Sequence, residues 1–322
     1  MTLAYFVDRA PMSREGAIKF YDAFPSVRRL YQDIAAWTGE SQEQIMADDD
    51  LPDEHGPRKY SMLAIRSIAI QIAVNDVLAA EGVFPQLAVG VSLGISAASA
   101  MIGTLSRPEL FGLLWHRRYE PESPPDGPVE GIAFCHLAAD SGLDRFLGKE
   151  RDGIYVAVDF GTPPNGLGRN FVLSGYKSAL EGLAAEDPNV KMGKATTAKH
   201  SPIRKPVSDF IREYVSKLTF RDPVIPLSAC LDDRLLTTAD EVREAICRSD
   251  SQLASVPAGI TQAINAGTQM FLVLAPSAVE GIVDFQVPVL TVREPADIET
   301  AVTAVNRLRS DLSNDARQVT SR

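Results

Sequence analysis

Residues 86–98 read Gln86-Leu-Ala-Val-Gly-Val-Ser-Leu-Gly-Ile-Ser-Ala-Ala98, and the fold is decided here. An apolar run, Leu87-Ala88-Val89, stops at Gly90, and a small-residue helical stretch starts after Gly94. Between them Gly90-Val91-Ser92-Leu93-Gly94 spells G-x-S-x-G, the pattern of a nucleophile elbow, in which a strand turns sharply into a helix. Such a turn is strained, so its flanking positions must be small. It lifts the Ser92 hydroxyl clear of the backbone at the start of the helix. There the helix dipole and the Leu93 N–H can stabilise an oxyanion. Five letters alone also occur by chance. The strand before and the Ala-rich helix after supply the context the motif requires.

Outward from the elbow, strands and helices alternate. Residues 3–7 read as a buried strand, and Ser13 starts a helix that ends at Pro25. Residues 26–38 place Val27, Leu30, Tyr31, Ile34 and Trp37 at helical spacing. Residues 46–55 read as a solvated loop. Residues 60–81 are apolar almost all round, which predicts a fully buried helix. After the elbow helix, Ser106 is a candidate N-cap for a helix carrying Leu110, Leu113 and Leu114, with Arg117-Arg118 at its end. Residues 120–129 form a Pro-rich boundary.

Residues 129–199 then read as a separate unit, with strands at 129–137, 153–160, 170–174 and 190–197 and helices at 141–147 and 177–185. That order is βαββαβ, the ferredoxin-like arrangement. Helices over 202–219, 238–247 and 260–266, strands at 223–228, 269–276 and 289–292, and a helix over 298–310 complete the chain, followed by a polar tail expected to be disordered. The reading is α/β. A larger α/β-hydrolase-like domain with a parallel sheet covers 1–128 and 200–322, and the inserted ferredoxin-like subdomain covers 129–199. The cleft between two such units is a default ligand site.

Composition narrows the function classes. A chain that is 45% hydrophobic and 23% charged is an ordinary soluble globular one. A net charge of −10 argues against general nucleic-acid binding. Cys135, Cys230 and Cys247 are scattered and odd in number, which suits a reducing cytoplasm and gives no disulfide frame. His55, His116, His136 and His200 are scattered too, so no metal is expected. The N-terminus lacks the basic and apolar regions of a signal peptide. No membrane span is expected, because no apolar run approaches the ~18 residues needed.

A serine nucleophile needs a base. His200 stands directly after the last strand of the inserted unit and before Ser201-Pro202, where a junction residue can face the cleft. Taken alone, it is as well read as a junction histidine. Serine followed by histidine also suits an α/β hydrolase. No Asp, however, stands in an obvious loop to complete a triad.

The chain resembles the malonyl-CoA:ACP transacylases and the acyltransferase domains of polyketide synthases over roughly residues 3–280. The resemblance is carried by the elbow, the ferredoxin-like insertion, Arg117 twenty-five residues after the serine, His200-Ser201-Pro202 with Lys205-Pro206, and Gly267-Thr-Gln-Met-Phe-Leu-Val-Leu-Ala-Pro276. It implies a ping-pong acyl transfer through Ser92, with His200 as base, oriented by a backbone carbonyl near Gln252 rather than by an aspartate. It implies an acyl-CoA or acyl carrier thioester of phosphopantetheine as substrate, no tightly bound cofactor, and an acyl carrier protein as partner of a cytoplasmic, monomeric enzyme. Arg117 matches the arginine that pairs with a malonyl carboxylate. Read without the resemblance, it is a solvated helix-end arginine. Arg118 is expected to point elsewhere.

The departures bear on the acyl group. Val91 stands where the family has histidine, and Ile95 where it has glutamate. Asp8-Arg9-Ala10-Pro11-Met12 replaces the Gly-Gln-Gly-Ser-Gln loop, which leaves the Ala10 N–H as second oxyanion donor beside Leu93. Met62 replaces a pocket glutamine, and Lys199 precedes the histidine. A pocket that gains apolar groups suits a non-standard acyl group and a polyketide or related natural-product pathway. Lys191, Lys194, Lys199, Arg204 and Lys205 form a basic island in an acidic chain. It is read either as a solvated face or as a dock for an acidic carrier protein, with Lys191, Lys194, Arg204 and Lys205 as its contacts. An editing acyl-carrier hydrolase, a malonyl-CoA:ACP transacylase of fatty-acid synthesis and a non-catalytic carrier-binding module stay as alternatives.

Overall fold

Elements in this section come from a computed structural model that describes residues 2–9, 12–47, 56–122, 127–138 and 152–320. The chain opens with β1 (Thr2–Val7). Ser13 caps α1 (Arg14–Ala23) by accepting from the Gly16 N–H. Helix α2 (Pro25–Thr38) ends at Gly39, whose φ of 78° needs a residue without a Cβ. A single turn, α3 (Gln42–Ile45), is closed by a capping box of Ser41 and Gln44. Then come α4 (Pro57–Ala80), β2 (Leu87–Gly90), α5 (Leu93–Met101) and α6 (Arg107–His116). Ser106 and Glu109 form the capping box of α6, which tightens at its end into a 3-10 turn over Arg117–Tyr119.

The second unit holds β3 (Glu130–Leu137), β4 (Ile154–Gly161), β5 (Arg169–Tyr176), α7 (Lys177–Glu186) and β6 (Val190–Met192). The helix expected over 141–147 lies outside the described residues. The chain closes with α8 (Lys205–Val215), β7 (Leu227–Ser228), α9 (Ala239–Arg248), β8 (Ala254–Ser255), α10 (Val256–Asn265), β9 (Thr268–Val273), β10 (Val289–Thr291) and α11 (Ala296–Thr320). Helix α11 thus runs through the tail that composition predicts to be disordered.

Two sheets result. The first has the order β10-β9-β1-β2-β7, and every pair in it is parallel. Its strands are apolar on both faces, as helix-covered parallel strands must be. Leu3, Tyr5, Val7, Ala88 and Leu272 face one core with α2, α4, α5 and α6. Ala4, Phe6, Val89, Phe271 and Val273 face the other, against Val256, Ile260 and Ala263 of α10. The second sheet has the order β6-β3-β5-β4-β8. Its first four strands are antiparallel, in the ferredoxin-like order. Its edge, β8, comes from outside 129–199 and pairs parallel with β4.

Two expectations are corrected here. The strand predicted over 190–197 stops at Met192; the Gly193 N–H makes one last bond to the Ile132 carbonyl, at a place where an added Cβ would lie 2.6 Å from the Ile132 side chain. Residues 194–199 instead pass irregularly along the cleft. Helix α4 is, by length and hydropathy, apolar enough to cross a membrane, contrary to the sequence reading. Its buried residues run from Ser61 to Leu78, inside the first core.

The elbow depends on a close approach of backbones. A Cβ on Gly94 would lie 1.9 Å from the Val7 carbonyl oxygen, and one on Gly90 would lie 2.8 Å from the Ile95 Cα. Both neighbours are main chain and cannot swing away. Gly94→Ala is therefore expected to separate α5 from β1 and to lower Tm by more than 10 °C, or to prevent folding. Gly182→Ala, on the open side of α7 with nothing within 4 Å, is expected to gain about 0.5–1 kcal/mol. Thermal unfolding of the two variants checks the pair, and a mild effect at Gly94 would refute the contact.

Candidate active site

The carboxyl ends of β1, β2 and β9 open on one side of the parallel sheet. The chain leaves β1 toward β2 and β7 and later returns on its other side as β9 and β10. Such a switch point leaves a crevice at the strand ends. Asp8, Ser92 and Ala278 follow those three strands and line a cavity of about 260 Å³. The small sheet covers it with Ile132, Ala157, Val158, Phe160 and Val172.

Ser92 sits at the tip of the elbow with φ 56° and ψ −119°, a conformation that favours glycine. Holding a non-glycine residue there costs on the order of 1–3 kcal/mol and is paid for by the surrounding packing. The Val91 N–H donates to the Val7 carbonyl, and the Ile95 N–H donates to the Ser92 carbonyl. Leu93 is the first helical residue, so its N–H belongs to the unpaired donors of the helix start. Ala10, the other expected oxyanion donor, lies outside the described residues.

His200 faces Ser92 across the domain junction. Its Nε2 is 2.8 Å from Ser92 Oγ, and its Nδ1 is 3.0 Å from the Gln252 carbonyl oxygen. The carbonyl can only accept, so it fixes Nδ1 as the protonated nitrogen and leaves Nε2 free to accept the serine proton. The His200 N–H donates to the Asp250 carbonyl at 2.7 Å, and the residue has φ 58°. Both reacting side chains are thus held in strained backbone. Burial pushes the His200 imidazole below its ordinary value, and the Asp250 charge and the Gln252 bond only partly oppose this. That direction favours the neutral imidazole, the form whose Nε2 can accept a proton.

Around this pair lies a buried ion network. Arg117 Nη2 donates to Asp250 Oδ2 at 2.8 Å, and Arg117 Nε meets Glu120. Lys199 Nζ lies 3.8 Å from the other Asp250 oxygen. Arg204 reaches Glu120 and Glu130 at 3.5 Å each. Burial alone would lower the Arg117 pKa, but Asp250 and Glu120 overcome it and raise it. Burial likewise opposes ionisation of Asp250, and Arg117 and Lys199 outweigh it and hold the carboxyl well below the usual carboxylate range. Asp8, bonded to Ser277 Oγ and the Ala278 N–H, is pushed up to about 7 by burial.

Val91, Leu93, Arg117 and Lys199 line the cavity as expected. Met62 does not. It is buried, and its neighbours Leu63 and Ala64 form the wall. Arg118 stacks on Trp115 and Tyr119, away from the cavity. Lys191 and Lys194 are exposed. Lys205 is exposed and paired with Asp209. Arg204 is 7% exposed and answered by two glutamates, so it offers no charge to a docking surface. The sequence reading missed Asp250, Glu120 and Glu130, and the only signal was a carboxylate count.

Labelling of Ser92 by a fluorophosphonate reads the base directly. Neutral His200 is the active form, so the labelling rate should fall with acid along a limb centred below 6.5, the ordinary histidine value. Asp250→Asn removes a charge that favours imidazolium, so its limb should lie lower still. A limb at or above the ordinary value, or one displaced upward in the variant, would contradict the site's electrostatics.

No family model matches the chain. It is 25% identical over 174 residues to the malonyl CoA-acyl carrier protein transacylase of Escherichia coli O157:H7, a match that covers 52% of this chain. It spans about half of that relative's length, 54%. The solved malonyl CoA-acyl carrier protein transacylase of Coxiella burnetii superposes with a TM-score of 0.82 at 17% identity, over 94% of this chain and 97% of that one. A malonyl-transacylase solved in complex with its type II polyketide synthase acyl carrier protein gives 0.79 at 18% identity, over 94% and 100%. At these identities the structural likeness establishes the fold. The relatives and structural neighbours of the chain are thus malonyl-CoA:ACP transacylases and polyketide synthase acyltransferase domains, in line with the resemblance read from the sequence.

Proposed function

We propose that this protein moves an acyl group from a thioester donor, through an ester on Ser92, to the phosphopantetheine thiol of an acyl carrier protein. The observation that carries the reading is the bond from Ser92 Oγ to His200 Nε2 at 2.8 Å, at the wall of a mostly apolar cavity. Ser92 Oγ attacks the thioester carbonyl while Nε2 takes its proton. The carbonyl oxygen becomes an oxyanion beside the Leu93 N–H and the start of α5. When the oxyanion collapses, the carbon–sulfur bond breaks, and the leaving sulfur takes the proton back from Nε2. A carrier thiol then gives its proton to His200, attacks the ester and releases Ser92 with its proton restored.

The Gln252 carbonyl orients the base, so no aspartate is needed to select its tautomer. Asp250 opposes the cost of the transient imidazolium through space. A pocket walled by Val91 and Leu63 suits an acyl group other than the malonyl group handled by the transacylases it resembles, and a polyketide or related natural-product pathway in the cytoplasm. Lys191 and Lys194 are exposed and precede the irregular segment that bears Ala195 and Thr197, and are proposed to meet the acidic carrier.

Ser92→Ala should show no gain of acyl mass on incubation with thioester donors. His200→Ala should form the adduct about 10²–10⁴-fold more slowly. Intact-mass spectrometry reads both, and adduct formation at the wild-type rate in either variant would remove that residue from the chemistry. Transfer from the ester to a holo carrier protein, compared with loss to water, tells transferase from hydrolase.

A further inference from the structure

Given acyl transfer through Ser92, on which this rests, we infer that the transferred acyl group is uncharged and that Asp250 is the specificity-determining residue that excludes a carboxylated one. A malonyl-type group would need Arg117 as its counter-ion, and Arg117 is taken. Its side chain is 15% exposed, with Nη2 on Asp250 at 2.8 Å and Nε on Glu120. Both carboxylates come from elements fixed by other bonds. The Asp250 carbonyl accepts from the His200 N–H, and Glu120 also faces Arg204.

The network is balanced. Arg117, Lys199 and Arg204 carry three positive charges, and Asp250, Glu120 and Glu130 carry three negative ones. A substrate carboxylate would add an uncompensated charge to a desolvated site. To reach Arg117 it would have to displace Asp250, leaving a buried carboxylate with only Lys199 at 3.8 Å. Lys199 is no free anchor either. It is shared between Asp250 and the face of Tyr60, at 5.3 Å from the ring centroid. Asp8 also lines the cavity, with its carboxyl bonded to Ser277 Oγ and the Ala278 N–H. Arg9, the other arginine of the described lining, is exposed, unlike Arg117; the wall of Leu63, Val91, Ile132, Val158 and Phe160 packs against an apolar chain.

The test is single-turnover formation of the Ser92 ester by the full chain, read by intact mass. Malonyl-, acetyl-, butyryl- and hexanoyl-CoA serve as donors, with the same acyl groups on a holo carrier protein as a second set. Wild type should acylate at least tenfold faster from the best uncharged donor than from malonyl. Asp250→Asn keeps the side-chain shape and the backbone bond to His200, and removes one of the two negative charges that neutralise the guanidinium. It should raise the malonyl-to-butyryl rate ratio at least tenfold, and Glu120→Gln should move it the same way. Adding Arg117→Ala to Asp250→Asn should cancel the gain, an outcome that mere loosening of the site would not produce. Malonyl preference in wild type, or a ratio unmoved in both single variants, overturns the inference while leaving acyl transfer intact. No ester from any donor sinks acyl transfer and this inference together.

Discussion

The contact between the end of β1 and the start of α5 is the constraint on which the rest depends. Gly94 lets the helix lie against the Val7 carbonyl, and Gly90 lets the strand turn under Ile95. With those two approaches made, Ser92 has no relaxed backbone conformation left and is thrust out at φ 56°. The Val7 carbonyl also accepts from the Val91 N–H, so the same atom sets the height of the elbow above the sheet. Strain at the nucleophile follows from packing beneath it. The parallel strands beneath, apolar on both faces, hold the elbow fixed.

His200 is brought to that fixed point by a different route. Strand β6 ends at Gly193, and the chain runs irregularly along the cavity until the His200 N–H and ring are caught by two carbonyls of one loop, those of Asp250 and Gln252. Ser92 and His200 therefore belong to separate parts of the chain, 108 residues apart, with the strands of the small sheet between them in sequence. The edge strand β8, pairing with β4 directly after the Gln252 loop, ties the two sheets at the place where the histidine must be registered.

What the sequence discloses follows from how local the cause is. The elbow is written in five adjacent residues, and the capping boxes at Ser41, Ser106 and Thr238 are written in four each. The Gln252 carbonyl was legible through resemblance, because any residue there offers a carbonyl. Helix α4 shows the opposite case. It is buried nearly all round, so its sequence has no polar face to show which residues meet the cavity; Met62, named from the resemblance, is buried, and Leu63 and Ala64 line the wall. The partners of Arg117 were not legible either. Glu120 stands three residues away in a segment that reads as linker, and Asp250 stands 133 residues away with no spacing to announce it. Arg204, read as part of the docking island, is answered by Glu120 and Glu130, both more than 70 residues away in the sequence, so their pairing has no local signal either.

Asp250 stands where several demands meet. Its backbone positions the base, its charge favours the imidazolium, and its carboxylate occupies Arg117. An uncharged residue there would leave two buried cations, Arg117 and Lys199, beside His200, and both lower the histidine's affinity for a proton. In a site that binds a carboxylated acyl group, the substrate's own carboxylate would offset those cations during turnover. Where the acyl group brings no charge, the protein must supply the anion itself. On the proposed function, the aspartate would perform that task in a pocket with an apolar wall, and would tie the electrostatics of His200 to the kind of acyl group the pocket admits.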